Sequence, residues 1–162
     1  MSIFFTRLVL PADKGYVTPE DWDGCWKIYT ICTDADKRTS TTNADLLLLG
    51  SSDRRLAVKS YSTLLGKANT GLNFYDLYDE KQCHEAHTFK MNGKTEKIYR
   101  IWGSGDIRIY FIYLPNKNIV LLKTCPKRKD HLTKGEKAQL DVIAKYVFEC
   151  LETNEFSTRI II

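Results

Sequence analysis

At 162 residues, with 43% hydrophobic and 27% charged side chains, the chain is long enough for one domain, residues 1–162, with a core of its own. No apolar run approaches the ~18 residues of a membrane span, and five scattered cysteines with no C-x-x-C pair support neither a disulfide framework nor a zinc site, which fits a reducing cytoplasm. The formal net charge of +4 is unevenly spread: residues 90–145 hold thirteen Lys/Arg against five Asp/Glu, which points to a polyanionic ligand or an acidic partner there.

The chain opens with MSIFFTRLVLPADKG, whose short apolar run has no cationic leader and no small-residue cleavage site, so it reads as a strand over Ile3 to Leu10 stopped by Pro11. Thr18-Pro19-Glu20-Asp21 has the residues of a helix start, ended within a turn by Gly24. Cys25 to Cys32 reads as a second strand. Thr42 or Asn43 then caps a short helix through the leucine run to Gly50, and Ser51, Ser52 or Asp53 caps another, with Ala57, Tyr61, Leu64 and Leu65 at helical spacing up to Gly66.

Residues 66–81 read as a connection with aromatic anchors, followed by a strand at HEAHTFKM. Lys97 to Trp102, Ile107 to Leu114 and Ile119 to Thr124 are separated by GSGD and PNKN turns, too short for crossovers, so these strands run antiparallel. Thr133 and Glu136 form a capping box, and Ala138, Leu140, Ile143, Ala144, Val147 and Leu151 make one apolar stripe. The FSTRIII tail reads either as one more strand or as a sticky end. The order gives an α+β domain.

Lys97 to His131 gathers the chemistry. A three-residue Gly103–Gly105 loop with Gly105 left-handed pairs Arg100 with Arg108 and points both one way. Tyr99 and Tyr110 read as packing residues able to stack a base, and Trp22, Trp26 and Trp102 as packing residues. His84 and His87, flanking Glu85, are weighed for the site behind His131 and Lys129.

The order and residues resemble the RelE/HigB superfamily of toxins from type II toxin–antitoxin systems, especially the phage-type HigB-like branch. The likeness runs from about Trp26 to Leu151. It is carried by Trp26-Lys27-Ile28 before a helix pair, then Tyr99-Arg100-Ile101, Ile107-Arg108-Ile109-Tyr110, Ile119-Val120-Leu121-Leu122 and Lys127-Arg128-Lys129 before the capped helix. Ile107 stands where the family has an aromatic, Lys134 where it has proline, and residues 1–24 form an N-terminal extension without a counterpart.

The resemblance implies a RelE-like microbial ribonuclease fold: an antiparallel sheet with a helix pair before it and a helix after it. It implies a cytoplasmic endoribonuclease that cleaves mRNA, on the ribosome, with no metal or other cofactor. A ribose 2′-OH attacks the neighbouring phosphorus, a nucleophile only RNA supplies. The implied partners are mRNA, the ribosome and an acidic cognate antitoxin, not a membrane or DNA alone. Arg108 and Arg128, then Arg100, would stabilise the phosphorane, with Lys129 and His131 as proton handlers. Lys97, Lys123, Lys127, Lys134 and Tyr110 would contact RNA. Two alternatives stand beside this: a toxin of the same fold that poisons gyrase, as in the ParE branch, and a non-catalytic module binding RNA or an acidic protein.

Overall fold

The computed structural model describes residues 3–33, 40–126 and 132–161, which form an α+β arrangement: a mostly antiparallel, mixed sheet of seven strands with four helices. The strands are β1 (Phe4–Arg7), β2 (Lys27–Cys32), β3 (Cys83–Met91), β4 (Lys94–Trp102), β5 (Ile107–Leu114), β6 (Asn118–Pro126) and β7 (Ile160–Ile161). The helices are α1 (Thr41–Leu48), α2 (Ser51–Asn69), the one-turn α3 (Phe74–Leu77) and α4 (Lys134–Glu152). Sheet order is β3-β4-β5-β6-β2-β1-β7.

The expected meander, β3 to β6, is antiparallel throughout, but the sheet as a whole is not: β2 lies parallel to β6, and β1 parallel to β7. Alternation along each strand feeds two cores. On one face Ile101, Ile107, Ile109 and Phe111 pack with Ala57, Tyr61, Leu64 and Leu65 of α2; on the other, Ile98, Ile112, Leu114 and Val120 pack with Leu140, Ala144 and Val147 of α4. β5 is therefore covered on both sides, and seven of its eight residues are buried.

The capping box at α4 is present: the Thr133 side chain accepts from the Glu136 N–H, and the Glu136 carboxylate accepts from the Thr133 N–H. Of its predicted stripe, Ala138 is exposed and Cys150 is buried instead. Ser40 caps α1. α2 follows Gly50, without a side-chain cap, and runs past Gly66 to Asn69.

Thr18-Pro19-Glu20-Asp21 starts no helix. The Asn69 side chain donates to the Thr18 carbonyl and accepts from the Glu20 N–H, while Arg7 holds Asp21. Those bonds tie the segment to the end of α2. The 66–81 connection contains α3, whose cap, Asn73, accepts from the Tyr75 N–H.

The N-terminal extension is part of the sheet. β1 pairs antiparallel with β2, and Phe5 is fully buried with its ring 4.7 Å from that of Phe156. Of the tail, Ile160 and Ile161 make the short strand β7. A Phe5→Ala variant should lose about 3–5 kcal/mol of stability in urea denaturation, as buried Phe→Ala changes do. Val9→Ala, at a position 65% exposed, should stay within about 0.5 kcal/mol of the parent.

Candidate functional site

The site is built on the α4 side of β4 and β5. The turn between these strands spans residues 103–106 with Gly105 left-handed, as expected, but Arg100 pairs with Tyr110 and Arg108 with Trp102. The register differs from the expected one by two residues. Because two is even, Arg100 and Arg108 still share a face.

Two register shifts complete the row. The Asn92-Gly93 turn, with both residues at positive φ, sets Met91 opposite Lys94, and regular pairing from there would put Glu85 opposite Arg100. A shift between Glu85 and His87, which leaves Ala86 unpaired, puts His84 opposite Arg100 instead. In β6 a second shift, which leaves Leu122 unpaired, sets Lys123 rather than Leu122 opposite Tyr110. The result is a continuous cross-strand row, His84–Arg100–Tyr110–Lys123, with Trp102–Arg108–Cys125 beside it.

Arg100 Nη2 donates to His84 Nε2 at 2.6 Å, and His84 Nδ1 lies 3.0 Å from the Glu85 carbonyl oxygen. An arginine has no lone pair to offer, so Nε2 is the acceptor and the ring carries its proton on Nδ1, donated to that carbonyl. Arg108 is only 3% exposed; its guanidinium lies 4.5 Å from the centroid of the Trp102 ring, and its Nη1 makes a long bond, 3.4 Å, to the Ile107 carbonyl. Among the described residues, no carboxylate lies within ion-pair distance of either arginine, and the Nε–H of each is buried without a partner.

The electrostatics follow from that packing. Burial, followed by the like charge of Arg100, lowers the Arg108 pKa. Burial raises that of Tyr110 against the opposing pull of Arg100 and Arg108, which keeps the phenol protonated. A cavity of about 260 Å³ opens on the row, lined by His84, Glu85, Arg100, Tyr110, Leu132 and Lys137, so the start of α4 forms one wall.

Of the sequence candidates, Arg100, Arg108, Tyr110 and Lys123 come together here. Lys97 stands an odd number of residues from Arg100, hence on the other face, and pairs with Glu85 at 3.5 Å. Lys134 is the exposed first residue of α4 and does not line the cavity. Lys127, Arg128, Lys129 and His131 lie outside the described residues. Trp102 and Lys137 belong to the site without having been among the candidates, and His84 belongs to it although it stood behind the others. The Asn-Gly turn at 92–93 is the one sequence signal that bears on His84, and read alone it puts His84 on the wrong face.

Among the described residues no group of three or more His, Cys, Asp or Glu side chains is placed to hold a metal ion, and no helix is long and apolar enough to cross a membrane. Comparison with protein-family models, curated proteins and solved structures gives no match.

Two outcomes follow from cations held without carboxylates. Arg108→Met, which removes a buried charge with an unpartnered N–H, should leave stability unchanged or raise it by about 1 kcal/mol in urea denaturation. His84→Glu should fold, pair with Arg100, and cut the thermal stabilisation that sulfate or inorganic phosphate gives the parent, through an affinity lower by about tenfold or more.

Proposed function

We propose that the chain is a toxin of the RelE/HigB type, an endoribonuclease that binds RNA across the β4–β5 face and cleaves it by attack of a ribose 2′-OH. The observation that carries this reading is the pair of arginines, buried Arg108 and half-buried Arg100, aligned on one face with no carboxylate of the described residues within ion-pair distance. Two adjacent, unneutralised guanidinium groups match the several oxygens of a phosphodiester, and the charge that builds on those oxygens in a phosphorane strengthens the contact in the transition state. From β2 to α4 the order of elements, a strand, a helix pair, the one-turn α3, an antiparallel meander and a helix, supports the family resemblance.

In this mechanism the phosphate draws Arg100 from His84, so that Nε2, already carrying the lone pair, faces the substrate. The 2′-oxygen bonds to phosphorus as its proton passes to Nε2; the bond from phosphorus to the 5′-oxygen breaks, and Lys137 at the cavity wall donates a proton to the leaving oxygen. Arg108, fixed against Trp102, stays in place and stabilises the equatorial oxygens. The products are a 2′,3′-cyclic phosphate and a free 5′-OH. An acidic antitoxin would cover the same row by supplying carboxylates to pair with the two arginines.

The test is incubation of the purified chain with mRNA, free and on ribosomes, followed by mapping of the ends. Cleavage should leave cyclic phosphate termini, continue in EDTA, and fall by about 10²–10³-fold in each of Arg100→Ala and Arg108→Ala. Intact RNA under both conditions, or parental rates in Arg108→Ala, would overturn the proposal.

A further inference from the structure

A second cavity, of about 290 Å³, lies across the end of the sheet from the arginine row. It sits between α2, the segment leading into β3, and the β4–β5 turn, and is lined by Ser60, Thr63, Lys67, Tyr78, Gln82 and Trp102. Trp102 joins the two sites: it lines this cavity, and its ring covers the Arg108 guanidinium.

We propose that this cavity is a nucleobase subsite, which receives the base of a nucleotide whose phosphate is held by Arg108. The inference rests on the phosphodiester reading of the arginine row and adds to it the group that would select a sequence.

Its size is at the small end of ligand cavities, suited to one nucleoside and not to a peptide. Its chemistry is that of a base edge. Gln82 is exposed, and its carboxamide oxygen accepts from the Asp79 N–H, so the amide points its NH₂ elsewhere. Among the described residues, neither that NH₂ nor the exposed Thr63 hydroxyl has a hydrogen-bond partner. Between them they offer donors and an acceptor to a flat heterocycle, and Trp102, 40% exposed, offers a ring to stack on.

The remaining wall is rigid. Ser60 Oγ donates to the Leu56 carbonyl and accepts from the Ser104 N–H, which fixes the turn to α2. A Cβ at Gly103 would lie 2.2 Å from that same Oγ. Lys67 is already committed, donating to the Leu77 carbonyl with its ammonium 4.5 Å from the centroid of the Tyr78 ring, so the cavity is not itself the phosphate site. The division of labour follows: cations on one side of Trp102 hold phosphate, and neutral polar groups on the other read the base.

Titration calorimetry of the full chain with AMP, GMP, CMP, UMP and ribose 5-phosphate tests this. At least one nucleotide should bind about tenfold or more tightly than ribose 5-phosphate, and the four should differ among themselves. Thr63→Val combined with Gln82→Leu, both at exposed positions, should bring every nucleotide to within about twofold of ribose 5-phosphate while leaving the latter unchanged. Nucleotides that bind no better than ribose 5-phosphate, or discrimination that survives the double substitution, would overturn the subsite with the arginine site intact. If ribose 5-phosphate itself fails to bind, the arginine reading falls. The free nucleosides then decide alone: binding lost in the double variant upholds the subsite, and no binding removes it.

Discussion

Two like charges share one face of a sheet with no carboxylate of the described residues within ion-pair distance, and much of the local structure is arranged to make that tolerable. A guanidinium moved out of water is costly unless its donors find acceptors. Here the acceptors are neutral: an imidazole nitrogen for Arg100, an indole face and a carbonyl for Arg108. A carboxylate would have served stability better. Glu85 is the near miss, because regular pairing from the 92–93 turn would set it opposite Arg100, and the register shift at Ala86 sends it to Lys97 instead. A residual cost is visible in the two buried Nε–H groups, as it is in that of Arg7 outside the site.

That cost is tolerable because β5 is anchored on both faces. Ile107, Ile109 and Phe111 bury one side under α2, and Ile112 and Leu114 bury the other under α4. Each such side chain contributes roughly 1.5–3 kcal/mol on burial, so the row of apolar residues outweighs one strained arginine at the end of the strand. The covering of α4 stops near its first turns, where Lys137 and Leu132 line the cavity; Arg100 faces that opening, and Arg108 is buried beside it. The N-terminal strand adds to the same reserve: β1 and Phe5 extend the core past β2, on the side of the sheet away from the site.

How much of this was legible in the sequence varies by the range of the interaction. The capping box at Thr133 and Glu136 and the strand Ile107–Leu114 are written in adjacent residues, and both stand where the pattern put them. The helix expected at Thr18 failed because its backbone is held by Asn69, fifty residues away, a partner that no local signal announces. The site shows the same divide. That Arg100 and Arg108 share a face follows from parity across a short turn, whereas the arrival of His84 and Lys123 depends on single unpaired residues, Ala86 and Leu122, in strands whose composition is otherwise regular. A bulge costs little and leaves no composition behind, yet it turns every later side chain to the opposite face.

The far side of the sheet also decides where the arginines stand. The turn that follows Trp102 is pressed onto α2 so closely that a Cβ at Gly103 would lie 2.2 Å from Ser60 Oγ, and one at Gly105 would lie 2.8 Å from Leu56 Cδ1. Ser60 takes the Ser104 N–H, and the Trp102 indole donates to the Gly105 carbonyl, so the ring that covers Arg108 is held by the turn and the turn by the helix. Thr124 repeats the pattern on β6: its hydroxyl accepts from Tyr61 of α2, and its N–H donates to Asp45 of α1, between Lys123 and Cys125 of the site rows. Burial raises the pKa of that carboxyl, so the contact is kept against a desolvation penalty. The helix pair thus acts as a clamp on the strand ends. Its apolar stripe makes the core, and its few polar residues, Ser60, Tyr61 and Asp45, set the positions from which the opposite face presents its charge.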